Sequence, residues 1–195
     1  MAVGVQGGVQ VLAMLALLAH EQEGQEGCML ALDASNAYNA CSRDALLEHV
    51  TTHQDGSIRA IGQLVYVLYA AEFDVEGMTF KIAEGGMQGD PLLPILFALA
   101  MQPTVFKLDK GMKDRDTGRT KNVGAQSFLD DLSLRGTTKS TLKGMEEAEE
   151  DLERRLGIRL NAKKSKMLTK NTEGAREVLR EKYGELESEG YKGPQ

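Results

Sequence analysis

Asp33 closes the apolar run Met29-Leu30-Ala31-Leu32, and Asp130-Asp131 sits inside Gln126-Ser127-Phe128-Leu129-Asp130-Asp131-Leu132-Ser133-Leu134. Carboxylate oxygens are the ligands that hard divalent cations such as Mg²⁺ prefer, and Mg²⁺ completes its shell with water and substrate phosphates. Two such ions about 3.5–4 Å apart clamp the attacking and the leaving oxygens of a phosphoryl transfer. The first run has the composition of a buried strand, and the second that of two short strands meeting at an acidic turn. Pairing between neighbouring strands would gather the three carboxylates although they lie far apart in the chain. The chemistry that such a group could perform is nucleotidyl transfer.

The elements around these acids follow from local pattern. Cys28–Asp33 reads as a strand, Ser42 as the N-cap of a helix running to about Val50, and Ser57 as the cap of a helix over Ile58–Ala71. Glu72–Val75 and Met78–Ala83 flank Glu76-Gly77 as a hairpin, followed by a flexible corner at Glu84-Gly85-Gly86. Asp90 can cap, and Pro91 can open, a strongly apolar helix over Leu92–Met101, which Pro103 should end or kink. Residues 109–121 carry charges and glycines and read as an exposed loop before the strand Val123–Phe128. Thr137–Leu156 reads as a polar helix with Leu142, Met145, Leu152 and Leu156 on its apolar side. Ile158–Leu160 and Lys166–Thr169 read as short strands, and the chain from Thr172 as a helix that loosens from Gly184. This order predicts an α+β fold in which helices cover one side of a sheet.

A chain of 195 residues with 42% apolar composition can bury one good core. The net charge of −6 has the wrong sign for a protein held to nucleic acid by phosphate contacts alone. It is unevenly spread: residues 1–106 hold 3 Lys/Arg against 12 Asp/Glu, and residues 107–195 hold 20 against 17. The acidic run Glu146–Asp151, interleaved with Lys143, Arg154 and Arg155, reads as a solvated helix face. Cys28 and Cys41 fit neither CxxC nor zinc spacing, which favours free thiols in a reducing compartment. His49 and His53 stand four apart without the glutamate of a zinc-protease helix and read as surface residues. The apolar stretch Val9–Ala19 is too short to span a bilayer and follows no Lys or Arg, so it reads as a buried helix and gives no membrane association.

Three runs in order, Leu32-Asp33-Ala34-Ser35-Asn36-Ala37-Tyr38-Asn39, Gly86-Met87-Gln88-Gly89-Asp90-Pro91-Leu92 and Phe128-Leu129-Asp130-Asp131, resemble successive palm motifs of reverse transcriptases. The first is similar to the Leu-Asp-x-x-Asn-Ala-Phe-Asn run of non-LTR (LINE-like) retrotransposon enzymes, with Tyr38 in place of the phenylalanine. The resemblance covers residues 1–170, a palm fragment, and leaves 171–195 as a helical or loose tail. It implies a polymerase palm-like (ferredoxin-like) antiparallel sheet with fingers and thumb largely absent. It also implies an RNA-directed DNA polymerase of retrotransposon origin that takes an RNA template, a DNA primer and deoxynucleoside triphosphates in the nucleus or cytoplasm.

By the same resemblance Asp33 and Asp130 would bridge two Mg²⁺ ions, with Mn²⁺ as a substitute, and Asp131 is the weaker third ligand. Tyr38 would lie under the incoming sugar and exclude a 2′-hydroxyl. Gln88 and Gly89 would lie against the nascent base pair and template. Asn161, Lys164 and Ser165 match a following palm motif in which Lys164 would approach phosphate. Each residue also has an ordinary reading: an acidic turn, a packed tyrosine, a glycine hinge or a solvated lysine edge. The basic fingers contacts expected before the first motif are not evident, since no Lys or Arg precedes Cys28. Competing readings are therefore a catalytically inactive retroelement remnant or interaction module, and, more weakly, an RNA-dependent RNA polymerase.

Overall fold

Cys28, Leu30 and Leu32 alternate with Met29 and Ala31, and that period of two places the first set in the core of strand β1 (Gly27–Leu32). The computed structural model describes residues 24, 26–69, 73–86, 89–118, 122–128, 130–161 and 164–183. Within it β1 lies inside a four-stranded antiparallel sheet. Strands β4 (Gly124–Phe128) and β5 (Asp131–Thr137) lie to one side and β6 (Lys166–Thr169) to the other, in the order β4-β5-β1-β6. The register sets Leu30 opposite Leu134 and Met167, and Leu32 opposite Leu132. Helix α4 (Leu93–Arg115) links β1 to β4 and packs on β4, whereas α5 (Thr138–Leu156) links β5 to β6 and packs on β1 and β5. This is the split βαβ arrangement of ferredoxin-like folds, an α+β sheet covered on one side by helices.

Leu30, Leu32, Leu132 and Leu134 meet Leu108, Met112 and Ala148 in one cluster between sheet and helices. A second cluster joins Cys41 and Leu46 to Phe97, Met101, Leu152, Leu156 and Ile158. It ties the helices α1 (Ala37–Ala40) and α2 (Arg43–Thr51), which follow β1, to α4 and α5. Helix α3 (Gly56–Tyr69) packs on α2 through Val65 and Tyr69. The small hairpin of β2 (Phe73–Val75) and β3 (Met78–Phe80) follows, and α6 (Thr172–Tyr183) continues the chain after β6. Among the described residues no helix is long and apolar enough to cross a membrane. Both cysteines are free and buried.

Ser42 caps α2 by accepting from the Ala45 amide, and Glu76-Gly77 makes the hairpin turn with positive φ at both positions. Five expectations are corrected. The cap of α3 is Asp55, whose Oδ1 accepts from the Ser57 and Ile58 amides, so the helix starts two residues before Ile58. Pro103 does not end α4: it removes one backbone donor, worth roughly 3 kcal/mol, but Phe97, Ala100, Met101, Thr104 and Leu108 are buried on either side of it. At about 1.5–3 kcal/mol for each large apolar side chain, that burial outweighs the lost bond. Residues 109–115 are the last turns of this helix and not a loop, because Leu108 and Met112 recur at helical spacing and are fully buried. Asp116 just beyond is buried too, and accepts from the Thr137 amide at 2.7 Å and its hydroxyl at 2.9 Å.

The fourth correction is Asp151, which is buried and not part of a solvated face. It accepts from Thr104 at 2.7 Å, Lys107 at 3.1 Å and Arg154 at 2.7 Å. Burial alone would raise its pKa, but these donors outweigh it and hold the carboxyl at about 2. The fifth is the corner at Glu84-Gly85-Gly86, which is pinned: the Gly85 amide donates to the Cys41 carbonyl at 2.7 Å and Gly86 to Tyr38 at 3.2 Å. His49 is half-buried, with its ring centroid 5.5 Å from that of His53 in an edge-to-face arrangement. Strand β3 stops at Phe80, three residues before Ala83. The apolar stretch 9–19, Glu72 and the chain from Gly184 lie outside the described residues.

Candidate active site

Asp33 follows the last residue of β1, and continuation of the antiparallel register would place it across from Asp131 on β5. Asp131 pairs with Phe128, so Asp130 occupies the tight turn between β4 and β5. Leu132 is buried beneath the helices, and the alternation of the strand turns Asp131 to the opposite, more exposed face. Burial raises the Asp131 pKa, and the negative charges of Asp130 and Asp33 raise it further. The hairpin thus brings three like charges within electrostatic reach of one another at one end of the sheet. Among the described residues no group of three or more His, Cys, Asp or Glu side chains is gathered tightly enough to hold a metal ion by itself.

Asp33 is fastened through its backbone and not through its carboxylate. Its carbonyl accepts from the Asn161 amide at 2.8 Å, and its amide donates to Ser165 Oγ at 3.3 Å. Ala34 forms a bridge with Leu160, and the Ser35 amide donates to the Arg159 carbonyl at 2.8 Å. Residues 159–161 and Ser165 therefore lie along Asp33. Lys164 sits in its turn, exposed, with its amide bonded back to Asn161.

Tyr38 in α1 packs on Phe97 of α4 with ring centroids 5.0 Å apart. Its hydroxyl is buried and has no hydrogen-bond partner among the described residues. Burial, then the charges of Asp130 and Asp131, push the phenol up to about 12. Those causes place Tyr38 in the field of the acidic turn. Gly89, with φ +91° and open space where a Cβ would stand, is exposed ahead of Asp90. Gln88 lies outside the described residues.

Two residues next to this region went unread in the sequence: Arg43 and Tyr69. Arg43 is buried, donates from Nε to the Gly85 carbonyl at 3.0 Å and from Nη1 to the Tyr69 carbonyl at 3.2 Å. The Tyr69 hydroxyl donates to Asp90. The one local signal was a cation at the first position of a helix, where the macrodipole disfavours it.

A family model described as Reverse transcriptase (RNA-dependent DNA polymerase) matches residues 4–183. Among solved structures, apo telomerase from Candida tropicalis is similar at 15% identity and a TM-score of 0.57, covering 83% of this chain and 32% of that one. A form of it truncated from the C-terminal domain gives 17%, 0.53, 82% and 34%. Telomerase from Candida albicans in complex with a TWJ fragment of telomeric RNA gives 13%, 0.55, 87% and 31%. The chain spans about a third of the length of these structures, and at such identity the likeness is one of fold. No match was found among curated proteins.

Proposed function

The chain belongs to the reverse transcriptase (RNA-dependent DNA polymerase) family, and from that membership we propose that it carries the palm of a retrotransposon enzyme that extends a DNA primer on an RNA template. The observation that carries the reading is the β1–β5 register, which ends at Leu32 opposite Leu132 and, continued by one residue, would bring Asp33 across from Asp131 beside the turn that holds Asp130. The charges of Asp130 and Asp33 both act on Asp131, and carboxylate oxygens are the donors that a hard cation takes, although the three are not gathered into a metal cage by themselves. Asp33 and Asp130 would hold Mg²⁺ or Mn²⁺, with Asp131 as the weaker ligand; two carboxylates suffice when substrate phosphates complete the shell. When bound, such ions supply charge neutralisation at the primer hydroxyl and at the departing pyrophosphate.

The remaining work falls to the chain itself. Tyr38, backed by Phe97, would present its ring to the incoming sugar and leave no room for a 2′-hydroxyl. Gln88 and Gly89 would border the nascent base pair, where glycine lets backbone and base approach. Lys164, beside Asp33, would offer a cation to the phosphates. A second reading, a non-catalytic retroelement module, is favoured by one observation: no three acidic side chains among the described residues form a ready metal cage.

Primer extension separates the two readings. Mg²⁺-dependent incorporation of deoxynucleotides on an RNA template is expected, with a loss of about 10³-fold in Asp130→Asn or Asp33→Asn. A wild-type chain that binds template and primer yet adds no nucleotide with either Mg²⁺ or Mn²⁺ would sink the polymerase reading in favour of the module.

A further inference from the structure

Arg43 is costly where it stands. It is 6% exposed, and it lies at the first position of α2, where the helix dipole opposes a positive charge. Taking a guanidinium out of water costs several kcal/mol unless hydrogen bonds and a counter-charge offset it. An apolar side chain would satisfy the core more cheaply.

The bonds it makes run in one direction. Nε donates to the Gly85 carbonyl at 3.0 Å, and the backbone amide of Arg43 donates to Ala83 at 3.0 Å. The guanidinium lies 4.9 Å over the Tyr69 ring while Nη1 donates to the Tyr69 carbonyl at 3.2 Å. The Tyr69 hydroxyl in turn donates to Asp90, whose other oxygen accepts from the Leu92 amide at 2.9 Å at the start of α4. The Arg43 charge also acts on the Asp90 carboxylate. One buried side chain thereby grips the chain ahead of positions 87 and 88 directly, and the chain after them through a tyrosine.

The gripped segment is pressed on the element that carries the gate residue. Gly85 has φ +58°, and a Cβ there would fall 2.6 Å from the Tyr38 carbonyl oxygen and 2.5 Å from that of Asn39. Gly86 donates to the same Tyr38 carbonyl. We propose that Arg43 is a positioning residue: with Tyr69 and Asp90 it fixes the separation between the Tyr38 turn and the chain at Gly85–Gly86 and at Asp90, and so the width of the slot into which a nucleoside triphosphate enters. The assignment rests on the polymerase reading for the identity of the nucleotide, and on the hydrogen bonds alone for the anchor.

Two measurements on the full chain test the two parts separately. The variants are Arg43→Lys, which keeps the charge but not the fork, and Tyr69→Phe, which keeps the ring and removes only the bond to Asp90. Hydrogen exchange of the amides from Gly85 to Leu93 is expected to speed up about tenfold in both, with β1 and β5 unchanged. In primer extension the KM for deoxynucleotide should rise about tenfold while kcat stays within about twofold, a split that general loosening would not give. Unchanged exchange at 85–93 in Tyr69→Phe overturns the anchor whether or not the chain extends a primer. Faster exchange with an unmoved KM in an active chain overturns the slot assignment. A wild-type chain without incorporation overturns the polymerase reading and the slot with it, while the exchange result still decides the anchor.

Discussion

Tyr38 touches the Phe97 ring and feels Asp130 and Asp131, so its phenol, pushed up to about 12, stays neutral throughout the neutral range. If the ring edge and not the hydroxyl selects the sugar, Tyr38→Phe should leave the preference for deoxynucleotides within about twofold. Tyr38→Ala should lower it roughly 10–100-fold, the scale of one lost steric contact, read as the ratio of kcat/KM for matched deoxy- and ribonucleotides. Unaltered selectivity in Tyr38→Ala would contradict the gate. Asp33 and Asp130 stood out as candidates because an acid ending an apolar run and an acidic turn are local patterns, whereas Tyr38 was singled out only through the resemblance of its motif. The pairings that support them could not be read: Ser165, itself named through the resemblance, lies 132 residues from the Asp33 amide it holds, and Arg43 lies 42 from Gly85 and 26 from Tyr69. Nothing local pairs them.

Helices were legible where composition alone decides and misread where packing does. Strand β1 was read from its apolar run and α5 from its leucine spacing, whereas Ile158–Leu160, expected as a strand, forms only a bridge between Leu160 and Ala34. Pro103 and the charges of 109–115 read as a break and a loop because single-residue preferences ignore what lies beneath. Leu108 and Met112 are held by the sheet, while Lys113 and Asp109 pair outside at 2.7 Å. Asp151 shows the same override: Glu146, Glu149 and Glu150 are exposed, whereas Asp151 is buried against α4 and half-buried Glu147 pairs with Arg115 of that helix at 2.8 Å. Its folded pKa is depressed, so its contribution is present above the unfolded value near 4 and is lost as pH falls toward about 2. Asp151→Asn should therefore cost about 2 kcal/mol at pH 7 in denaturant unfolding, and the gap to wild type should close between about pH 4 and pH 2. A gap that is the same at both ends would show that the carboxylate charge does not secure the two helices.

At the scale of the molecule, the α+β class and the one-sided cover were readable from element order, whereas the strand order β4-β5-β1-β6 was not, because pairing across long separations leaves no local trace. Helix α3 is rich in apolar residues, of which Val65 and Tyr69 are buried against α2. Ile61, Leu64, Val67 and Leu68 are nevertheless 58–70% exposed. Such a patch favours self-association in water. Leu64→Lys with Val67→Lys should raise the concentration at which light scattering sets in, while Tm moves by less than about 2 °C. A fall of several degrees would mean that these side chains are packed in solution. The clasp of Asp116 on Thr137 bears on the acidic hairpin as a whole. It ties the end of α4 to the end of β5, while Leu132 and Leu134 just before it fill the core beside β1. Moving the acidic turn to another scaffold would therefore mean carrying β1 and the leucines beneath it along with the tie.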